Sequence, residues 1–260
     1  MPPMRTNDLP ADWLPPLRGL ARQAGELVMR VYAGDHGVRA KADASPVTMA
    51  DELAEALIVA GLRNIAPDVP IVAEEAAAAG HVPDIGRRFW LVDPLDGTRE
   101  FVQRNGEFTV NIALIDDGRP VLGVVLAPAT AELYWGLAGA GAGRHDRHGE
   151  HPIACRRVPP EGLTVLASRS HGDEAALTGY LAGRRVASVR HAGSSLKLCL
   201  LAAGEADVYP RFGRTMEWDI AAGHAVLAAA GGEVLDLSGA PLRYGKPGFE
   251  NPHFVAHGLN

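Results

Sequence analysis

From Leu17 onward, apolar residues recur at Leu17, Leu20, Ala21, Ala24, Leu27, Val28 and Val31, the spacing of one face of an α-helix. Gly34 and Gly37 end that pattern, and a polar loop through Lys41, Asp43, Ser45 and Pro46 follows. Leu53, Ala54, Leu57, Ile58, Gly61 and Ile65 trace a second helix, with Thr48 and Asp51 standing where a capping box would begin it. The pattern then shortens to that of strands at 71–73, 89–92, 108–115 and 121–127, with Asp116, Asp117 and Gly118 as a hairpin turn. Residues 139–152 crowd glycine and basic side chains and read as an exposed connection. Beyond it, strands at 163–167, 186–188, 207–209 and 233–235 alternate with helices at 173–182, 194–203 and 217–230. The predicted organisation is a flexible leader at 1–16, an N-terminal lobe at 17–145 of two helices and a largely antiparallel sheet, and a C-terminal α/β lobe at 153–260. The fold class is α+β grading into α/β.

Composition narrows the function. Apolar residues make up 47% and charged residues 22% of 260, an ordinary globular balance. No apolar run approaches the roughly 20 residues of a bilayer crossing, and the proline-rich first residues lack the apolar stretch of a signal peptide. Cys155 and Cys199 form no CxxC pair and no disulfide framework, so the expected home is the reducing cytoplasm, with peripheral attachment to the cytoplasmic face of the inner membrane left open. A net charge of -6 argues against a nucleic-acid polymer as partner, because polymer binding needs clustered Lys and Arg. A small phosphorylated substrate remains compatible if metal ions supply the positive charge.

The richest segment is FWLVDPLDGT at 89–98, an apolar strand running into two aspartates three apart. With Pro94 holding the turn, Asp93 and Asp96 can converge on one point and bind a hard cation. Gly97 and Thr98 would present backbone N–H groups to a phosphate at the start of a helix. Taken alone, Asp93 and Asp96 are equally turn and cap residues. Two more acidic positions shift the balance: the Glu74-Glu75 pair after the 71–73 strand, and Asp219 opening a helix, although the first could be a solvated strand end and the second could merely oppose a helix dipole. His145, His148 and His151 hint at zinc, but a flexible loop offers no fixed ligand geometry. Gly139, Gly141 and Gly143 lack the lysine of a phosphate-binding loop, and neither cysteine heads a CxxxxxR loop.

The ordered motifs KADASPVTMADELA (41–54), AEE (73–75), WLVDPLDGTREFVQRNGEFTVNIALI (90–115), SRSH (168–171), GSSLKLCL (193–200), YPRFG (209–213) and WDIAAGHAVL (218–227) cover nearly the whole chain after the leader. Together they resemble the inositol-monophosphatase superfamily, and within it the CysQ-type 3'(2'),5'-bisphosphate nucleotidases. The resemblance implies a layered αβαβα sandwich of the sugar-phosphatase type. It also implies that Glu74, Asp93, Asp96 and Asp219, with the main-chain carbonyl of Leu95, ligate two or three Mg²⁺ ions. Asp51 and Thr98 match the pair that polarises the attacking water, although Asp51 with Thr48 is equally a helix cap. Gly97, Thr98, His171, Ser194, Lys197, Arg211 and Asp219 match positions facing the substrate. Ala73 and Ala76 depart from the family pattern, where Ser and Asp are common, and leave the support of Glu74 unexplained. Lithium inhibition is a further implication, and a homodimer is compatible with the resemblance.

Four carboxylates in one pocket would repel one another and any phosphate, so such a cluster makes sense with cations between them. The expected activity is hydrolysis of the 3'-phosphate of 3'-phosphoadenosine 5'-phosphate to AMP. Inositol 1-phosphate and fructose 1,6-bisphosphate are the alternative substrates, and a non-catalytic nucleotide-binding protein is the alternative of another class.

Overall fold

The computed structural model describes residues 11–34, 39–40, 46–169 and 173–259. His171, Lys41, Asp43 and Ser45 lie outside the described residues. A 3-10 turn at Ala11–Trp13 leads into α1 (Leu14–Ala33), so residues 11–16, read from the sequence as leader, are helical instead. Pro15 and Pro16 belong to the first turn of α1, where no intrahelical N–H bond is lost. Trp13 is held by the Trp90 ring, with centroids 5.7 Å apart.

A short antiparallel pair, β1 (Arg39–Ala40) and β2 (Pro46–Val47), precedes α2 (Met49–Ile65). The buried face of α2 is Ala50, Ala54, Ile58 and Leu62, with Asp51 and Glu55 beside them, whereas Leu53 is exposed. The face is therefore rotated from the stripe read in the sequence, because it carries two carboxylates toward the interior instead of the larger Leu53. Helices α1 and α2 approach closely at Gly61, where a Cβ would sit 2.4 Å from a Leu20 methyl carbon.

Strands β3 (Ile71–Ala73), β4 (Arg88–Asp96), β5 (Thr109–Asp116), β6 (Arg119–Ala127), β7 (Glu132–Leu137), β8 (Gly141–Asp146) and β9 (Gly149–Ile153) form one sheet in sequence order. Only the β3–β4 pair is parallel. Residues 139–152 are thus not a connection: they build the hairpin of β8 and β9. Alternation sorts each strand between two cores. Trp90, Val92, Val110 and Ile112 pack with α1 and α2, whereas Phe89, Leu91, Ala113 and Val125 face α6 (Leu196–Ala202) and α7 (Glu217–Ala229).

A second sheet has the order β11-β10-β12-β14-β13, from β10 (Leu163–Ser168), β11 (Val186–Ala192), β12 (Val208–Arg211), β13 (Glu233–Asp236) and β14 (Phe254–His257). Its other face holds α5 (Glu174–Leu181) through Val165, Val208 and Val255. The layers run α1/α2, first sheet, α6/α7, second sheet, α5, which is the expected αβαβα sandwich. Short helices α3 (Glu74–Ala78) and α4 (Thr98–Val102) follow β3 and β4. Cys155 and Cys199 are free and buried, and no described helix is long and apolar enough to cross a membrane.

Candidate active site

Strand β4 reaches its end through an irregularity. Asp93 pairs with Asn111 and Asp96 with Thr109, so three steps on β4 match two on β5 and one residue is extra. In a regular strand, residues three apart face opposite sides; the bulge cancels that alternation and brings both carboxylates to one cavity. Asp93 Oδ1 accepts the Leu95 N–H at 3.0 Å, and Pro94 has no N–H to place. Gly97 then turns the chain with φ 93°, a conformation that disfavours any side chain, and starts α4.

The other acidic groups come from other ends of elements. Glu74 is the first residue of α3, directly after β3. Asp219 lies in the first turn of α7, where its Oδ2 accepts the Met216 N–H at 2.8 Å. Ligand oxygens of Glu74, Asp93 and Asp219 lie within 4.8 Å of one another, the group of that kind found among the described residues. Asp96 lines the same cavity outside that tight group, and its Oδ2 accepts the Ser195 N–H at 2.6 Å. Among the described residues, the histidines at 145, 148 and 151 form no such group.

Burial above all, then the neighbouring Glu74, Asp96 and Asp219 carboxylates, hold the Asp93 carboxyl well above the usual range. Asp219 is raised likewise, by burial and then by Asp96 and Glu74. Asp96 is pushed up to about 6 by burial, against the opposing Lys197 charge and the Ser195 N–H. Buried oxygen donors that destabilise one another's charge are what a hard divalent cation relieves, so the residues present fit a metal.

Asp51 serves two structures at once. Its Oδ2 accepts the Thr48 N–H at 2.8 Å and the Thr48 hydroxyl at 2.7 Å, while the Ala50 N–H bonds back to Thr48 Oγ1 at 3.1 Å, completing the capping box. Its Oδ1 accepts the Thr98 hydroxyl at 3.2 Å. The same hydroxyl lies 3.2 Å from the Leu95 carbonyl, and one hydrogen must choose between them.

Glu55, one helical turn after Asp51, was not singled out from the sequence. Its carboxylate accepts the Glu75 N–H at 2.7 Å and the Ala76 N–H at 2.9 Å, capping α3 from outside the helix. This supplies the support of Glu74 that Ala73 and Ala76 cannot give. A carboxylate four residues after Asp51, between the apolar Ala54 and Ile58, was its one legible signal. Glu217 was missed as well: fully buried, it accepts the Gly245 and Lys246 N–H groups at 2.7 and 2.9 Å and the Lys246 ammonium at 2.6 Å, fixing the start of α7.

The remaining cavity wall comes from the second sheet and α6. The cavity measures about 660 Å³ and is lined by Gly97, Thr98, Ser194, Lys197 and Arg211 together with the acidic group. Lys197 is buried, and its Nζ donates to the Ala192 and Ser194 carbonyls at 3.1 and 2.6 Å. Burial lowers its pKa to about 8 despite the Asp96 charge. Arg211 is buried as well and donates to the Arg214 carbonyl at 3.0 Å. Burial would raise the Glu107 carboxyl, but its bonds to Arg169 and to the Gly193 N–H keep it below the usual range.

Bulged strand end, capped acidic helix starts and layered sheets fit one sequence pattern: residues 10–258 match the Inositol monophosphatase family. The chain belongs to the inositol monophosphatase family. Enzymes of this family depend on metal ions, as the acidic group here leads one to expect. Among its members, the 3'(2'),5'-bisphosphate nucleotidase CysQ of Shigella flexneri is 50% identical over 238 residues, covering 90% of this chain and 95% of that protein. The crystal structure of CysQ from Bacteroides thetaiotaomicron superposes with a TM-score of 0.78 at 37% identity, covering 93% of this chain and 95% of the other. A Thermotoga maritima IMPase superposes with a TM-score of 0.79 at 30% identity, covering 95% of this chain and 92% of the other.

Proposed function

We propose that the chain is a magnesium-dependent 3'(2'),5'-bisphosphate nucleotidase that hydrolyses the 3'-phosphate of 3'-phosphoadenosine 5'-phosphate to AMP and phosphate. The observation that carries the reading is the pairing of Thr98 with Asp51 beside the Glu74, Asp93 and Asp219 group. Half-identity to CysQ over 90% of the chain supports the nucleotide over inositol 1-phosphate or fructose 1,6-bisphosphate.

Glu74, Asp93, Asp96, Asp219 and the Leu95 carbonyl would hold the metal. An all-oxygen donor set suits Mg²⁺ rather than zinc, and two or three ions offset about four carboxylates. When bound, the metal supplies Lewis-acid stabilisation of the phosphoryl and leaving oxygens and a more acidic water.

The chain's own residues do the rest. With the Thr98 hydrogen directed to Asp51 Oδ1, the Thr98 oxygen can accept a hydrogen from a water placed in line with phosphorus. As the oxygen–phosphorus bond forms, that proton passes to Thr98 and the Thr98 proton to Asp51. The bond to the 3'-oxygen breaks, its electron pair leaves with AMP, and that oxygen takes a proton from solvent water. The Gly97 and Thr98 main-chain N–H groups, at the cavity wall, would hold equatorial oxygens. Ser194, Lys197 and Arg211 form the wall for the nucleotide, and a cavity of about 660 Å³ accommodates a molecule of that size.

Phosphate release from the three compounds, with Mg²⁺ and with EDTA, tests the reading. The nucleotide should give the highest kcat/KM, with turnover abolished by EDTA. A preference for inositol 1-phosphate would replace the substrate, and turnover that survives EDTA would remove the mechanism.

A further inference from the structure

Five consecutive residues, His191 to Ser195, of which the last three line the cavity, are each tied down, and the ties reach across both sheets. Arg169 donates to the His191 carbonyl at 3.2 Å. Lys197 donates to the carbonyls of Ala192 and Ser194, on either side of Gly193. Glu107 Oε2 accepts the Gly193 N–H at 2.8 Å. Asp96 accepts the Ser195 N–H at 2.6 Å. Glu107 belongs to the connection between α4 and β5 of the first sheet, whereas Gly193 follows β11 of the second.

Arg169 fixes Glu107 in turn. Its Nε and a terminal nitrogen meet the two Glu107 oxygens at 2.9 and 2.7 Å, the fork geometry that suits a guanidinium and a carboxylate. The two segments touch without room to spare: a Cβ at Gly193 would lie 2.6 Å from the Glu107 carbonyl oxygen and 2.9 Å from its Cβ. Ser194 completes the turn with φ 45°, a left-handed conformation that needs its neighbours to hold it. Arg169 directly precedes residues 170–172, and the Ser168 before it lines the cavity.

We infer that Glu107 and Arg169 are positioning residues for substrate specificity: a latch between the sheets that sets the distance from the metal-binding carboxylates to the 193–195 wall, and so selects a phosphomonoester carrying a nucleoside. The inference rests on the proposed nucleotidase reading. The latch touches the wall and leaves Thr98 and Asp51 to their own contacts, so it acts on recognition of the nucleoside part more than on the reacting phosphate. Both side chains are partly exposed, and an ion pair in water adds little to stability, so variants retain the fold.

The test measures full kinetics of the whole chain with Mg²⁺ on 3'-phosphoadenosine 5'-phosphate and on p-nitrophenyl phosphate, which has no nucleoside. Glu107→Ala should raise KM for the nucleotide about tenfold, the size of a lost charge-assisted contact, and leave p-nitrophenyl phosphate within about twofold. Glu107→Gln keeps an acceptor for the Gly193 N–H and should recover part of the loss. Glu107→Ala with Arg169→Ala should be no worse than Glu107→Ala alone, because the two act as one unit. Wild-type KM in the variants, or equal losses on both compounds, would overturn the latch. A wild-type chain inactive on the nucleotide would instead defeat the nucleotidase reading. Hydrogen exchange then still decides: the latch requires faster exchange at 191–195 in Glu107→Ala with the rest of the chain unchanged, and uniform protection would refute it.

Discussion

Thr98 Oγ1 lies 3.2 Å from Asp51 Oδ1, while the other oxygen of the same carboxylate caps α2 through Thr48. One carboxylate therefore caps the helix and also meets Thr98, the partner that the resemblance pairs with it. In the proposed mechanism the cap would serve the chemistry: two bonds to Thr48 fix the carboxylate plane, so the second oxygen is aimed before any substrate arrives.

Asp51→Asn should separate the two roles. Its amide oxygen can still accept from Thr48 and keep the cap, but it takes up no proton, so kcat should fall by about a hundredfold or more with little change in melting temperature. Thr48→Ala should do the reverse, costing about 1 kcal/mol of stability with a smaller loss of kcat. Paired denaturation curves and steady-state rates check both, and an Asp51→Asn enzyme with normal kcat would exclude Asp51 as the proton acceptor.

Glu55→Ala should weaken the apparent Mg²⁺ affinity about tenfold, since groups that orient ligands typically matter on that scale. The reason is geometric: without the carboxylate, the N–H groups of Glu75 and Ala76 lose their partner and the first turn of α3, which carries Glu74, is less well placed. Mg²⁺ titration of phosphate release measures it. Excess Mg²⁺ should restore most of the rate, and a defect that Mg²⁺ leaves untouched would show that Glu55 acts elsewhere.

Much of this site could be read before any coordinates. The DPLDGT run needed only strand periodicity and turn chemistry, and α1 needed only its apolar spacing. What escaped has a common cause. Strands β7, β8 and β9 carry Gly136, Gly141, Gly143 and Gly149, which look like loop residues in one dimension. Gly136 and Gly143 are there because other groups come too close: a Cβ at Gly143 would meet the Trp135 ring at 2.5 Å, and one at Gly136 would meet Val226 Cα at 2.6 Å. Glu55, Glu107, Arg169 and Glu217 were equally hidden, since each acts on a main chain 20 or more residues away. Local patterns report local geometry; cross-chain support of a site leaves no periodic trace.

His224 gives the fold a defined weakness to acid. It is buried, its Nδ1 lies 2.8 Å from the Tyr244 hydroxyl, and burial pulls its pKa down to about 3. Because the folded pKa lies below the unfolded value, its contribution is present above about pH 6.5 and is lost as pH falls toward 3. The slope from this one group is at most about 1.4 kcal/mol per pH unit. Chemical denaturation between pH 7 and 5 should show the loss in the wild type and a flatter profile in His224→Gln, which keeps a partner for Tyr244. Parallel profiles would mean that other groups carry the acid sensitivity.

Helix α7 brings Asp219 to the site, and it seats on the first sheet through two glycines. A Cβ at Gly123 would lie 2.4 Å from the Ala222 carbonyl oxygen and 2.7 Å from Ala225 Cβ, and one at Gly136 would lie 2.7 Å from the Ala225 carbonyl oxygen. Both obstacles include backbone atoms, which cannot rotate away as a side chain end can. Gly123→Ala and Gly136→Ala must therefore lift α7 from β6 and β7 and should each cost about 1 to 3 kcal/mol. The same displacement moves Asp219 relative to Glu74 and Asp93, so Mg²⁺ should raise the melting temperature of these variants less than that of the wild type. Gly179→Ala, inside α5 where nothing lies within 4 Å, is the control and should lower neither quantity, since alanine favours the helix. If Gly123→Ala lost stability yet kept the full Mg²⁺ shift, the seating of α7 would be packing alone, and Asp219 would be placed by its own first turn and the Glu217 anchor instead.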